Sequence, residues 1–427
     1  MSSSGEHPRT AHGTDAVVIG AGIAGLVAAV KLASGAGGRG VLLLEAGSEP
    51  GGRARTTEHQ GYSLNFGPRA LYRATERELR ALGVRVEGGE PDIAGASVLR
   101  EGAFHPGYAA AGPLLRTALL SRRERVAVAR LLALCRTRAR LARSDAAQWL
   151  AARLPTERAR QAAFAVLRIS TYVGRPEMIA ADALTAHFAE VRRGVRYLDG
   201  GWGSVVDGLA ARARELGVEL RTGARAVAVE GGEKPCVRLA DGSSVTGRSV
   251  VVAGLPPRVA AELLGRPELA AGSGRPLHTA CLDVALTELP DPGRALVFGV
   301  DDPVYLSDFS RASRVAPPGG AVLHLARYDD GAGLAPAQVR ARLYGLLDRC
   351  QPGWRDVLVH ERFLPRMTTM SAVPQPRFGG LAGRPGARVP GIPGVFLAGD
   401  WVGPTGLLAD ASVLSAVRAA DAAATRL

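Results

Sequence analysis

Lysine is nearly absent from this chain: of its 53 basic residues only Lys31 and Lys234 are lysines, and the rest are arginines. Cysteine is scarce too. Cys135, Cys236, Cys281 and Cys350 stand alone in 427 residues, with no C-x-x-C pair. That spacing excludes a disulfide framework and a zinc ribbon, and it suits a reducing interior. Aromatic residues make up 5%, so no stacking platform accompanies the arginines and nucleic acid is not the expected partner. The longest uncharged apolar run, Ala16 to Val30, is broken by glycines and too short to span a bilayer. The first fourteen residues, MSSSGEHPRTAHGT, lack the apolar stretch of a signal peptide. The eight histidines are scattered and suggest no metal site. A cytoplasmic protein without a membrane span is expected.

Glycine (54) and proline (27) are plentiful, and 47% apolar with 22% charged residues is an ordinary globular balance. The length corresponds to two or three domains. The net charge of +13 reads as arginine bias on solvated faces or as attraction to an anionic partner. Much of it comes from Leu114 to Arg143, where nine arginines face one acid, Glu124, with leucines and valines interleaved. That stretch is either a solvated helical hairpin or a basic amphipathic surface for anionic lipid, with peripheral membrane contact.

Near the N-terminus, AVVIG (Ala16–Gly20) reads as a buried strand, the following residues as a helix, and VLLLE (Val41–Glu45) as a second strand. This is a βαβ unit with a parallel sheet. Gly20, Gly22 and Gly25 form G-x-G-x-x-G across its first turn, with Ala24 inside the motif. The first glycine permits the tight turn, the second lets backbone approach a pyrophosphate, and the third lets helix pack on strand. The positive end of the helix then faces the phosphates. Glu45, twenty residues after Gly25, is placed to accept hydrogen bonds from a ribose diol, and it would repel a 2′-phosphate. A dinucleotide site follows.

Two further segments carry a resemblance. GGRARTTE begins at Gly51, and GVFLAGDWVGPTGLLADASVLSAVRAA runs from Gly394 to Ala420. With the glycine motif, they make the chain similar to the flavin-dependent amine oxidase and phytoene desaturase superfamily. The resemblance implies noncovalent FAD, since no cysteine lies near the C-terminal segment for covalent attachment. It implies that Gly51, Gly52 and Arg53 meet the pyrophosphate, where a guanidinium offers a fork of donors. It implies that Asp400 binds the ribitol or pyrophosphate, that backbone N–H groups of Gly406, Leu407 and Leu408 lie near the flavin ring, and that Val227 binds the adenine through its backbone.

On the substrate side, LNFGPRALY (Leu64–Tyr72) is similar to a segment that often reads Gly-Pro-His in desaturase-like relatives; here Arg69 replaces the histidine. An arginine cannot serve as a base. Arg69 is therefore a candidate for holding an anionic group or a flavin carbonyl, or for a structural ion pair. Trp401 and Tyr72 are candidates for an aromatic cage around an amine. Neither lysine falls where amine oxidases often use one for oxygen reactivity, which weighs against an oxidase.

The fold class expected is α/β (α+β overall): a discontinuous Rossmann-like FAD-binding domain with an inserted mixed-sheet and helical substrate domain. The FAD-binding pieces are 14–71, 196–268 and 386–427, and the substrate pieces are 72–195 and 269–385. The expected activity is that of an FAD-dependent dehydrogenase or desaturase passing a hydride from an apolar, lipophilic small molecule to flavin N5. A flavin amine oxidase producing peroxide and a redox-neutral flavin isomerase are the alternatives.

Overall fold

Strand Thr14–Ile19 pairs in parallel with Val41–Leu44 on one side and Ser244–Ala253 on the other. Glu219–Arg221 extends the sheet beyond Val41–Leu44, and Val395–Ala398 closes it beyond Ser244–Ala253. Apart from Glu219–Arg221 at the edge, these strands carry continuous apolar runs because both faces are covered. Helices Ile23–Ala33, Gly203–Glu215 and Leu408–Ala424 bury one face through Leu26, Val205, Leu209 and Val413. Helix Pro257–Leu264 and a meander formed by Ala226–Glu230, Cys236–Leu239 and the start of Ser244–Ala253 cover the other. These are the features of a computed structural model that describes residues 14–35, 40–67, 70–135, 141, 143–329 and 331–427.

A second, seven-stranded sheet runs in the order Leu358–Met370, Leu277–Leu286, Ala321–Tyr328, Val304–Asp308, Leu296–Gly299, Ser97–Arg100, Ala103–Pro106. Its pairings are antiparallel except that of Leu296–Gly299 with Ser97–Arg100. The strand-like residues near Ala96 and those after Leu277 therefore share one sheet. Alternation in Leu277–Leu289 and Ala321–Tyr328 predicts a sheet with one covered face. Instead, both strands are buried almost throughout. Helix Pro336–Cys350 covers one face through Leu343 and Leu347. The other face meets Tyr62 and Leu64 and, near Tyr328, a helical layer that includes Glu157–Thr171 and Ala181–Val191. The architecture is thus mixed α/β, with a Rossmann-like sheet and a separate mixed sheet. No helix among the described residues is long and apolar enough to cross a membrane.

The described part of the basic stretch folds as helices Ala111–Arg116 and Arg122–Leu134. Ser121 and Glu124 close a capping box at the start of the second. Glu124 is buried and pairs with Arg158 at 2.9 Å, while Val128, Leu131 and Leu132 enter the core. Residues 136–140 and 142, with three of the nine arginines, lie outside the described residues.

Candidate cofactor cleft and adjoining chamber

The three motif glycines have three different physical reasons to be glycine. Gly20 has φ +95°, and a Cβ there would lie 2.4 Å from the Ala253 carbonyl oxygen. At Gly25 a Cβ would lie 1.7 Å from the Gly20 carbonyl oxygen, so a bare Cα is what brings helix to strand. At Gly22 a Cβ would meet nothing within 4 Å. That empty space is part of a cleft of about 470 Å³ whose walls include Gly20, Gly22, Ala24, Glu45, Gly51, Gly52, Arg53 and Asp400.

Glu45 is fixed at the rim by two backbone donors: Ala21 N–H donates to Oε2 at 2.7 Å and Gly47 N–H to Oε1 at 2.8 Å. Gly51 is tied to the loop by its N–H to the Ala21 carbonyl, 2.8 Å. Arg53 reaches across to the other end of the chain. Its Nη1 lies 3.0 Å from Asp400 Oδ2, and Ser371 N–H donates to the same oxygen at 2.8 Å. Burial pushes the Asp400 carboxyl up, but the Arg53 guanidinium and the Ser371 donors outweigh it and hold the group below its ordinary value. Arg384, which sequence reasoning did not single out, clamps the loop after Asp400. It donates to the Asp400 carbonyl at 3.1 Å and the Gly406 carbonyl at 2.8 Å.

Two helices, Ile23–Ala33 and Leu408–Ala424, begin at this cleft, and neither has a side-chain cap. Uncapped N–H groups and the positive ends of two helix dipoles thus converge on one space, an arrangement suited to phosphate or an anionic ring. Leu408 (φ +55°) and Tyr172 (φ +61°) both line it. Each bears a strain of about 1 kcal/mol that the surrounding packing must hold. These donors, the open space at Gly22 and the Arg53–Asp400 pair fit a flavin dinucleotide.

Some expected residues fall elsewhere. Val227 is 50% exposed and is not part of the cleft wall, because the ladder slips register between Ala226 and Ala228 and turns the extra residue outward. The residues of that segment brought to Glu45 are Gly223 and Ala224, whose N–H groups donate to the Gly47 and Glu45 carbonyls. Of the three residues expected near the flavin ring, Leu408 walls the cleft, joined by Ala409 and Ser412, whereas Gly406 lines a different cavity and Leu407 is buried in the core near the helical layer. Trp401 is core, with its indole N–H donating to the Leu255 carbonyl at 2.8 Å, so it is no cage member. Arg69 lies outside the described residues.

Residues 23–424 match the flavin containing amine oxidoreductase family. The chain belongs to that family. It is therefore a flavin-dependent oxidoreductase of the amine oxidase type, and the family binds FAD. Solved family-like structures agree in fold. An oxidoreductase from Methanosarcina mazei has 18% identity and a TM-score of 0.76, covering 94% of this chain and 98% of that one. Cyclohexylamine oxidase from Brevibacterium oxydans has 18% identity and a TM-score of 0.72, covering 97% and 98%. Putrescine oxidase bound to putrescine has 17% identity and a TM-score of 0.68, covering 97% and 98%. No curated protein matches.

In this family member Tyr72 joins the cleft to a second chamber of about 410 Å³. Val166, Ile169, Phe188 and Leu296 make its walls apolar, and Tyr197 and Tyr305 supply hydroxyls. Tyr197 Oη lies 3.0 Å from Tyr305 Oη and 3.1 Å from Ser307 Oγ. Burial first, then neighbouring phenols, raises the Tyr72 and Tyr197 pKa values well above the ordinary range, so both stay neutral donors. His187 packs its ring edge-on to Tyr72 at 4.9 Å and bonds the Ser170 carbonyl through Nε2 at 3.1 Å. Burial pulls it down to about 4, so it is uncharged at neutral pH. Among the described lining residues the acid is Glu90, at the rim and paired with Arg73.

Proposed function

We propose that this protein is an FAD-dependent dehydrogenase acting on an apolar, neutral small molecule. FAD sits noncovalently with its pyrophosphate at Gly22 and Arg53, its ribose at Glu45 and its ring near Leu408. When bound, the cofactor would supply the hydride acceptor, the substrate's accompanying proton leaving to solvent. The chain binds, orients and desolvates: Phe188, Ile169 and Leu296 exclude water from the chamber, and the Tyr197 and Tyr305 hydroxyls orient one polar end of the substrate. The observation that carries this reading is the chamber reached past Tyr72, with apolar walls, neutral hydroxyls and its described acid only at the rim. A cationic amine would enter such a space at a desolvation cost with no buried carboxylate to offset it.

A second reading, amine oxidation, is favoured by the ring of tyrosines, because aromatic faces attract cations. The two separate in one experiment. Anaerobic bleaching of the bound flavin by neutral cyclic alkenes, with cyclohexylamine and putrescine inert, is the expected result. Bleaching by either amine, with peroxide released in air, would replace the first reading with the second.

The route in supports a lipophilic substrate. The chamber's rim includes Ile93, Ala110 and Ala111. Beside it stand the exposed Leu115 and Val126 (55% and 44%) among exposed Arg116, Arg122, Arg123 and Arg130. Apolar tips within a basic field are what an anionic bilayer surface attracts, at about 1 kcal/mol per basic residue. The protein is expected to sediment with phosphatidylserine vesicles at low salt and to be released at high salt. An R122E/R123E variant should stay in solution. No sedimentation of the wild type at low salt would end this part of the proposal.

A further inference from the structure

Helix Leu408–Ala424 is a partition between two spaces. Leu408, Ala409 and Ser412 face the cofactor cleft. Asp410, Leu414 and Arg418, at helical spacing on the opposite side, and Gly406 just before the helix, face another cavity of about 870 Å³. Asp410 lies in the first turn and is fully buried. Its Oδ1 accepts a short hydrogen bond from the Thr75 hydroxyl, and its Oδ2 has no hydrogen-bond partner. The carboxyl thus belongs to a residue in the wall of this cavity and not in the wall of the cofactor cleft.

We propose that Asp410 is a positioning residue whose gain and loss of a proton tunes the field that this helix start presents to the flavin, making the cofactor's reduction depend on pH from behind the site. The proposal rests on FAD occupying the cleft.

The charges around Asp410 decide where it titrates. From its own helix Arg418 shares the cavity wall, from helix Arg73–Ala81 come the bonded Thr75 and, in the wall, Arg77, and Tyr72, just before that helix, interacts with the Asp410 charge from the cleft side and stays neutral. From Ala181–Val191 come Asp182 and Glu190, with Arg193 just beyond, and Arg143 stands across the cavity. Glu190 is matched by Arg193 at 3.0 Å, and Asp182 accepts the Ala183 and Leu381 N–H groups. Arg77, Arg143 and Arg418 are exposed at the rim, where water screens them. Burial, with Glu190's charge added, outweighs the Thr75 hydrogen bond and pushes Asp410 up to about 7. Below that pH the residue is neutral, and the helix end remains positive toward the cleft. Above it, a carboxylate in the first turn cancels much of that field. A reduced, negatively charged flavin is then harder to form, so the midpoint potential falls more steeply with pH.

Asp410→Asn keeps the shape and an acceptor for Thr75 but cannot ionise. The midpoint potential of flavin-loaded wild type and variant, measured by dye equilibration across pH, is expected to agree well below neutrality. Above neutrality the wild type should fall below the variant. Flavin-loaded proteins with parallel profiles would overturn the role of Asp410 and leave the cofactor reading standing; a wild type that takes up no flavin would overturn both. Flavin-free protein gives an independent readout. An aspartate ordinarily titrates near 3.8 and Asp410 at about 7, so between those values the folded state holds an extra proton. Wild-type thermal stability should fall as pH rises through that window and stay lower above it. Asp410→Asn should lack that fall. Equal stability profiles in the two flavin-free proteins would also refute the proposal.

Discussion

Gly22→Ala is expected to fold as the wild type does and to lose its flavin, whereas Gly25→Ala is expected to lose both. The two glycines are three residues apart in one motif, yet a methyl group at each meets a different thing. At Gly22 it enters space with no protein atom within 4 Å, and the backbone there is extended (φ −70°, ψ −179°), which alanine adopts freely. The folded state pays almost nothing. The added carbon stands where a pyrophosphate must come closest to backbone, and we expect FAD affinity to drop about a hundredfold, about 2.8 kcal/mol. At Gly25 the methyl would sit 1.7 Å from a backbone oxygen. Helix Ile23–Ala33 must then move off its strand, at a cost of about 3 kcal/mol or more. Thermal melts of the flavin-free proteins and fluorescence titration with FAD separate the cases. Full flavin retention by Gly22→Ala would mean that the cleft holds its ligand in some other way.

The same contrast shows what could be read in advance. Gly20, Gly22, Gly25 and Glu45 follow from local backbone geometry and spacing, Arg53 and Asp400 from the family resemblance; all but Gly25, which holds helix to strand, line one cleft. The opposite wall was not legible. Met367, Thr368 and Thr369 come from strand Leu358–Met370, which lacks apolar alternation and carries Pro365. Such a segment is tolerated because it is the edge of its sheet, with a register shift beside the proline. Val227, expected at the adenine, is turned outward by a single bulge, which no periodicity announces. Trp401 shows the limit for aromatics: residue type says a ring is there, but only tertiary packing decides whether it faces a ligand or the core. Tyr172 enters the cleft through a left-handed helix cap that propensity disfavours for tyrosine.

Arg53→Ala should be the most damaging change among the side chains that line the cleft, because the partner it abandons cannot reach water. Asp400 has 1% of its side chain exposed, against 37% for Arg53. Removing the arginine leaves a buried carboxylate with Ser371 as its remaining donor. Loss of one partner from such a pair costs about 3 kcal/mol, the lower part of the usual range because Arg53 is itself partly solvated. The removal of phosphate-facing donors should weaken FAD binding in addition. The pH dependence identifies the cause. In the wild type, the depressed Asp400 pKa contributes stability that is present above the ordinary aspartate range and lost as pH falls below it. Without Arg53 the largest part of that contribution is lost, and burial, opposed by the Ser371 donors and the nearby Arg384 charge, moves the carboxyl back up. The gap between the two proteins in urea melts should thus be widest at neutral pH and close in acid, where Asp400 is protonated in both. Asp400→Asn should partly rescue Arg53→Ala, since an amide can be buried there without charge. A gap of constant size at every pH would show that the arginine matters for packing and not for the charge it faces.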